Sequence, residues 1–356
     1  LIMSLVKDKT VLISGGTGSL GKVLTRRLLN DQSNLPRKII IFSRDEAKQH
    51  FMRVEYQQKS KVTDEIIYED FRRLVEFRIG DIRNYHSVCS ALDGVDIVIN
   101  AAALKQVPSC EYFPYEAVQT NIMGAYNIVQ AIKQHKFPID TVVGVSTDKA
   151  CKPINVMGMT KAIQERIFIA ANIAVPSTRF VCVRYGNVLA SRGSVIPLFH
   201  EQIKNGGPVT ITTSDMTRFL LSLDRAVDTV LTALEEASPG EIYVPKVPSA
   251  RIVDVAKALI GSRPVETVFT GIRPGEKVHE ILVSEEEAWH SYPRGDYYVI
   301  KPMLPELWQS LSDETPLSRE YSSRDNVLSL EEISELLRLH HLDVDSELQY
   351  DGEFLR

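Results

Sequence analysis

Cysteine is scarce and unpatterned. The chain holds four, Cys89, Cys110, Cys151 and Cys182, separated by 21, 41 and 31 positions. There is no CxxC pair and so no zinc or redox-dithiol pattern. So few cysteines fit a reducing cytoplasm better than a disulfide-stapled secreted domain. Long hydrophobic runs are also missing, and none approaches the ~18 apolar residues that a membrane span requires. Leu1 to Lys9 lack the apolar core of a signal peptide. Leu1 and Ile2 precede Met3 and are left out of the fold reading. No excess of one charge exists either: 41 Lys plus Arg against 46 Asp plus Glu give a formal net charge of −5. That is a poor balance for wrapping nucleic acid, although it leaves room for a local basic pocket that takes a phosphorylated small molecule. His200, His279 and His290 show no ligand spacing, so no metal site is expected. What remains is ordinary: 356 residues, 44% hydrophobic and 24% charged. These values predict a soluble globular protein of about two domains and argue against disorder.

The first half alternates. Apolar, β-branched runs fall at Thr10–Ser14, Lys38–Phe42, Val75–Ile79, Val95–Asn100, Thr141–Val145 and Phe180–Arg184. Longer segments with helical spacing lie between them, such as Leu20–Leu29 and Ala117–Ile132. Strand and helix in repeated alternation predict an α/β fold with a doubly wound parallel sheet, the Rossmann architecture. The polar stretch Gln49–Arg73 reads as helix plus loop. After about Ser191 the pattern shifts to a smaller α/β substrate-binding lobe. The expected division is a dinucleotide-binding domain over 1–190, with 221–248 returning to it. Residues 191–220 and 249–300 would form the lobe. Residues 301–356 would be a C-terminal extension ending in a helix over Ser329–Leu339, where Ser329 and Glu332 suit a capping box.

The first strand runs into Gly15-Gly16-Thr17-Gly18-Ser19-Leu20-Gly21 and then a helix. In this spacing Gly15 permits a tight turn, Gly18 lets backbone approach a pyrophosphate, and Gly21 lets helix and strand pack closely. The helix N-terminus adds N–H donors and positive potential, so Thr17 and Ser19 join the cradle. The alternative is a glycine-rich turn that binds nothing. Ser43 and Arg44 end the second strand, where a hydroxyl and a guanidinium suit a 2′-phosphate and favour NADP over NAD, with Asp45 as the confounding carboxylate. Asp81, followed by Ile82, is placed either for an adenine amino group or simply for a turn. Small Ala101 and Ala102 after Asn100 would let the cofactor cross the sheet edge.

The fifth strand ends in Ser146-Thr147-Asp148-Lys149, and a helix with Met157 and Lys161 follows. In the short-chain dehydrogenase/reductase superfamily this place holds Ser or Thr, then Tyr-x-x-x-Lys on one helix face. Thr147 and Lys161 match, but Met157 stands at the Tyr position. The chain resembles the nucleotide-sugar branch of that superfamily, and above all the UDP-N-acetylglucosamine 4,6-dehydratases of bacterial capsule and surface-glycan pathways. The resemblance rests on Gly-Gly-Thr-Gly-Ser at 15–19, Ser-Arg-Asp-Glu at 43–46, Ala-Ala-Ala-Leu-Lys-Gln-Val-Pro at 101–108 and Ser-Thr-Asp-Lys-Ala at 146–150. It continues through Arg-Tyr-Gly-Asn-Val at 184–188, Met-Thr-Arg-Phe at 216–219 and Arg-Pro-Gly-Glu-Lys at 273–277. It implies a lyase, a hydro-lyase in which NADP takes hydride from sugar carbon 4. A proton then leaves carbon 5, water leaves carbon 6, and the hydride returns to carbon 6, with the outcome at carbon 5 left open. It further implies Asp148 as acid and Lys149 as base. A lysine base must be partly neutral, which burial beside cations such as Lys161 would favour. Met157 cannot carry a proton, so either Asp148 and Thr147 open the 4-hydroxyl or catalysis is lost.

Arg218 and Arg273 are the candidates for the diphosphate, because guanidinium forks match phosphate oxygens. By resemblance Asn187 contacts the diphosphate, Glu276 grips the uridine ribose and Lys105 lines the sugar pocket. The expected partners are a UDP-N-acetylhexosamine substrate and, by resemblance, further copies of the chain in a homo-oligomer. No nucleic acid is expected, and the expected location is the cytoplasm. Two other functions fit the same residues. One is a UDP-sugar 4-epimerase, which would normally need Tyr at position 157. The other is a catalytically inactive NADP-binding sensor or scaffold.

Overall fold

Six β-branched runs become the parallel centre of a nine-stranded sheet. The computed structural model describes residues 5–59, 65–189, 194–308 and 315–345. The central strands are β1 (Thr10–Ser14), β2 (Lys38–Ser43), β3 (Val75–Ile79), β4 (Ile97–Asn100), β5 (Thr141–Thr147) and β6 (Arg179–Tyr185). They lie in the order β3-β2-β1-β4-β5-β6. Strands β1 and β4 are buried along their whole length, as expected where helices cover both faces. Between β1 and β4 the strand order reverses, which opens a crevice at their carboxyl ends. The helices of this half are α1 (Ser19–Asn30), α2 (Glu46–Lys59), α3 (Glu65–Leu74), α4 (Tyr85–Leu92), α5 (Val107–Tyr112), α6 (Pro114–Ala117), α7 (Gly124–His135) and α8 (Val156–Ala174).

The second half adds α9 (Val195–Lys204), β7 (Val209–Ile211), β8 (Thr217–Phe219), α10 (Leu223–Glu236), β9 (Ile242–Pro245), β10 (Ser249–Arg251) and α11 (Ile252–Ile260). It continues with β11 (Thr267–Phe269), β12 (Ile281–Val283), α12 (Glu285–Ala288), β13 (Ser291–Arg294), β14 (Tyr297–Ile300), β15 (Tyr321–Ser322) and α13 (Leu330–Leu339). Strand β9 pairs with β6 in parallel, and the β13–β14 hairpin adds antiparallel to β9. Residues 291–300 therefore belong to the large sheet and not to the smaller lobe, which corrects the boundary drawn from sequence. The hairpin covers the edge of β9, and its buried Tyr297 and Val299 pack on Tyr243 and its neighbours; an uncovered edge would expose unpaired backbone groups.

The pair β12 with β15, with Leu282, Val283 and Tyr321 packed in the main core, joins the large sheet to the smaller lobe, which is built on the short strand pairs β8 with β10 and β7 with β11. Its core joins Ile196 and Phe199 of α9, Val255 and Leu259 of α11, and Ile333 and Leu337 of α13. Among the described residues after 301, Leu304, Leu307, Leu317 and Tyr321 pack on the main core, while Ile333, Leu337, Leu342 and Val344 belong to the core of the lobe. Residues Ala117–Ile132, read as one helix, fall into α6, a π-helical stretch at Val118–Met123 and α7. The widened turn carries the fully buried Asn121. Its amide bonds both backbone groups of Leu104 and the Thr160 hydroxyl, a task that a regular 3.6-residue period does not announce. Among the described residues no helix is long and apolar enough to cross a membrane.

Candidate active site

The turn between β1 and α1 is built by backbone contact. Gly15 has φ +66°, and a Cβ there would sit 2.8 Å from Ala102 Cα. A Cβ on Gly21 would meet Gly16 O at 2.4 Å. The three segments at 15–21, 43–44 and 101–102 therefore close on one another, and α1 opens with no side-chain cap at Gly18. Its first N–H groups are left for a ligand, the arrangement that accepts a pyrophosphate. Thr17 Oγ1 lies 3.1 Å from Ser43 Oγ, and Ser43 Oγ also accepts from Asp45 N at 3.2 Å. The Ser43 hydroxyl is thereby engaged within the protein. The exposed Arg44 guanidinium lies 3.9 Å from Asp81. Burial raises the Asp81 carboxyl, but hydrogen bonds from Arg83 outweigh it and hold the group below its ordinary value. Ile82 is buried and its carbonyl accepts from Asn127. Ser19 lies in the first turn of α1, and Ala101 N donates to Ser14 O at 3.1 Å.

Strand β5 delivers the charged turn. The Thr147 hydroxyl donates to Asp148 Oδ1 at 2.8 Å, and Lys149 Nζ donates to the same oxygen at 3.1 Å. Asp148 is 1% exposed, and its Oδ2 has no hydrogen-bond partner among the described residues. Lys161, on α8, donates to Val145 O at 2.5 Å and Gln164 Oε1 at 2.7 Å. Burial pushes its pKa down to about 8. Lys149 behaves in the opposite way. Burial lowers it, but the Asp148 and Glu280 carboxylates outweigh burial and hold its pKa above the ordinary lysine value. The expectation of a Lys149 made partly neutral beside Lys161 is therefore corrected: its charged neighbours are two carboxylates and Arg218. Met157 is buried with Cys110 and Ala117 in a small apolar cluster, so the position usual for Tyr presents no polar atom.

A cleft of about 290 Å³ between the sheet and the smaller lobe is lined by Lys149, Asn187, Arg218, Arg273, Glu276 and Glu280, among others. Asn187 Oδ1 accepts from Lys149 Nζ at 3.0 Å. Arg218 donates to the carbonyls of Thr217 and Val278 and lies 3.7 Å from Glu280 Oε1. Arg273 is exposed in the loop over the cleft, and Thr212 Oγ1 approaches Glu276 Oε2 at 3.5 Å. Lys105 is exposed and outside the lining, although Val107 and Pro108 beyond it take part. Glu280 was not singled out from sequence. It lies three positions past the Arg-Pro-Gly-Glu-Lys block, which is the signal that could have found it.

Residues 11–302 match the family described as polysaccharide biosynthesis protein. The chain belongs to that family. It is 45% identical over 342 residues to a protein named UDP-glucose 4-epimerase from Rickettsia massiliae (strain Mtu5), covering 93% of this chain and 95% of that one. Among solved structures it is similar to Pen from Bacillus thuringiensis, with TM-score 0.83, 34% identity and coverage of 95% and 99% of the two chains. It is also similar to DesIV, a dTDP-glucose 4,6-dehydratase from Streptomyces venezuelae with NAD and TYD bound. That likeness has TM-score 0.62 at 19% identity and covers 76% and 86% of the two chains, so it speaks for the fold alone. The lyase class expected from sequence is overturned here. Curated relatives spanning nearly the whole of this family member carry the name of an isomerase.

Proposed function

We propose that this chain is a nucleotide-sugar 4-epimerase that inverts carbon 4 of a UDP-hexose through a transient ketone. The observation that carries this reading is the 45% identity, along nearly the full length of both chains, to a protein named UDP-glucose 4-epimerase. A nicotinamide dinucleotide, when bound, supplies reversible hydride acceptance. The glycine turn at 15–21, with Ala101 and Ala102 against it, fits such a group. NAD is the form proposed; DesIV, a protein of the same fold, was solved with NAD bound. The case for NADP now rests on the exposed Arg44 alone, since the Ser43 hydroxyl is engaged by Thr17 and Asp45.

The chain's own residues then divide the work. Asp148, through its unpartnered Oδ2 and the Thr147 hydroxyl, takes the proton from the 4-hydroxyl as carbon 4 is oxidised and returns it after reduction from the other face. Lys149 donates to the carbon 4 oxygen while it is a ketone. Lys161 braces the end of β5 through Val145 O. Arg218 and Arg273 take the diphosphate with Asn187, and Glu276 takes the uridine ribose.

The test is incubation with UDP-glucose and with UDP-N-acetylglucosamine in deuterated water, followed by NMR. Epimerisation gives the galacto product with no solvent deuterium at carbon 4 or carbon 5. A 6-deoxy-4-keto product carrying deuterium at carbon 5 would overturn the reading, and so would an absence of turnover. A second expectation concerns the cofactor. A methyl at Gly21 would press on the Gly16 backbone, so Gly21→Ala should weaken dinucleotide affinity by about tenfold or more, as overpacking of ~1–3 kcal/mol implies. Calorimetric titration with NAD measures this, and unchanged affinity would remove the turn from the cofactor site.

A further inference from the structure

Lys149 Nζ faces three oxygens that come from three parts of the chain. Asp148 Oδ1 lies at 3.1 Å and Asn187 Oδ1 at 3.0 Å, and Glu280 Oε1 lies at 3.5 Å. An ammonium group carries three N–H donors and no acceptor. Asp148 and Asn187 accept two of these N–H bonds, while Glu280 faces the nitrogen as an ion-pair partner; two carboxylates this close favour the ammonium over the neutral amine and leave its third N–H for a ligand. The surroundings of Lys149 are thus shaped for the charged form. The third oxygen arrives from the smaller lobe, on a residue that is itself 3% exposed. Glu280 N donates to Ser323 Oγ at 2.9 Å, and Ser322 Oγ donates to Glu280 O at 3.3 Å. The backbone of Glu280 is therefore held by the β15 segment before its carboxylate reaches the cleft.

We propose that Glu280 is a positioning residue of this site: delivered by the smaller lobe, it completes the cage that holds Lys149 as an ammonium ion, so that Lys149 meets the sugar as a hydrogen-bond donor and not as a base. The meaning of this for catalysis rests on the nucleotide-sugar reading above, whereas the cage itself does not. The charged groups facing Lys149 are Asp148 on its own turn, Glu280 from the lobe and Arg218 on β8; Asn187 faces it as a neutral group. The two carboxylates raise its pKa, and Arg218 lowers it. Carboxylate and guanidinium on the lobe thus pull Lys149 in opposite directions, and Glu280 also lies against Arg218.

The test needs no turnover. Wild-type protein, Glu280→Gln and Arg218→Gln are pulse-labelled with trace acetic anhydride across a pH series, and acetylation of Lys149 is read by mass spectrometry. Wild-type Lys149 should become reactive only above the ordinary lysine range. Glu280→Gln should move that titration down by about one unit or more, the usual effect of removing an opposite charge at this distance. Arg218→Gln should move it up. General loosening of the cleft would move both variants the same way and would overturn the proposal, as would a Glu280→Gln profile that overlays wild type. If Glu280→Gln does not fold, as judged by circular dichroism, Arg218→Gln decides, with an upward shift supporting the cage and any other result overturning it. If the protein proves active as an epimerase, the alkaline limb of kcat should move with the labelling titration. If it proves inactive, the labelling result stands by itself, so the two readings fail separately.

Discussion

Replacing Asp148 with asparagine is expected to lower turnover by about 10²- to 10⁴-fold, the range in which a positioned acid–base group contributes, while dinucleotide affinity stays unchanged. Asparagine keeps the size and one acceptor oxygen of the original but cannot take up a proton. The surroundings offer few substitutes. Met157, where a tyrosine would stand in the wider superfamily, is buried against Cys110 and Ala117. Lys149 is held charged by its neighbours, and Lys161 is turned to Val145 O and Gln164. Thr147 can relay a proton but needs a terminus for it, and its hydroxyl points at Asp148 Oδ1. Gly186 keeps the space beside Asp148 open: a Cβ there would lie 3.3 Å from Oδ2. The measurement is single-turnover reduction of bound dinucleotide by the sugar, compared with NAD binding in the same variant. Near wild-type reduction by Asp148→Asn would take Asp148 out of the chemistry and leave the proton to a group not yet named.

The fold was legible where it depends on local pattern. Buried strands must be continuously apolar, and the runs at 10–14, 38–42 and 141–145 are; a strand that turns at once into a helix needs glycine where backbones touch, and Gly15 and Gly21 sit where a Cβ would strike Ala102 or Gly16. The hairpin at 291–300 was not legible, because strand propensity does not say which edge a strand will join. The π-helical stretch escaped for a related reason. Its apolar spacing reads as an ordinary helix, and the bonds from Asn121 to Leu104 and Thr160 that distinguish it are tertiary. In the candidate site the residue types were legible and their protonation was not. Asp148-Lys149 in sequence suits an acid and a base equally with an ion pair. What separates the two is Glu280, which approaches from the other lobe and leaves no mark on the residues around Lys149. The assignment to a lyase failed on the same point: redox at sugar carbon 4 is common to both chemistries, and a short motif names the shared part of the reaction better than its outcome.

Arg184→Met is expected to destabilise the protein by ~3–5 kcal/mol, the cost of leaving buried charges without their partner. Arg184 is 1% exposed and stands on β6, beneath the cleft. Its guanidinium donates to both oxygens of Glu165 on α8, at 3.0 and 2.7 Å. It also donates to both oxygens of Glu287 on α12, at 2.7 and 2.9 Å, and to Leu282 O at 3.0 Å. One side chain thus pins the sheet, the helix that carries Lys161 and the segment that follows Glu280. Methionine fills much of the space but leaves two carboxylates facing each other in a dry interior. The pH dependence has a definite sign. Burial would raise Glu287, but Arg184 pulls it down to about 2. A folded pKa below the unfolded value contributes stability above the ordinary Glu range, and that contribution is lost as pH falls toward about 2. In Arg184→Met the sign reverses, because an unpaired buried carboxyl favours its neutral form, and mild acid then stabilises the variant. The gap between the two proteins in urea unfolding should therefore be widest near neutrality and narrow as pH falls through about 5. Adding Glu165→Gln and Glu287→Gln to Arg184→Met should recover part of the loss at neutral pH, since neutral amides need no counter-charge. A loss below about 1 kcal/mol, or a gap independent of pH, would mean that the network is no more than a solvent-screened ion pair.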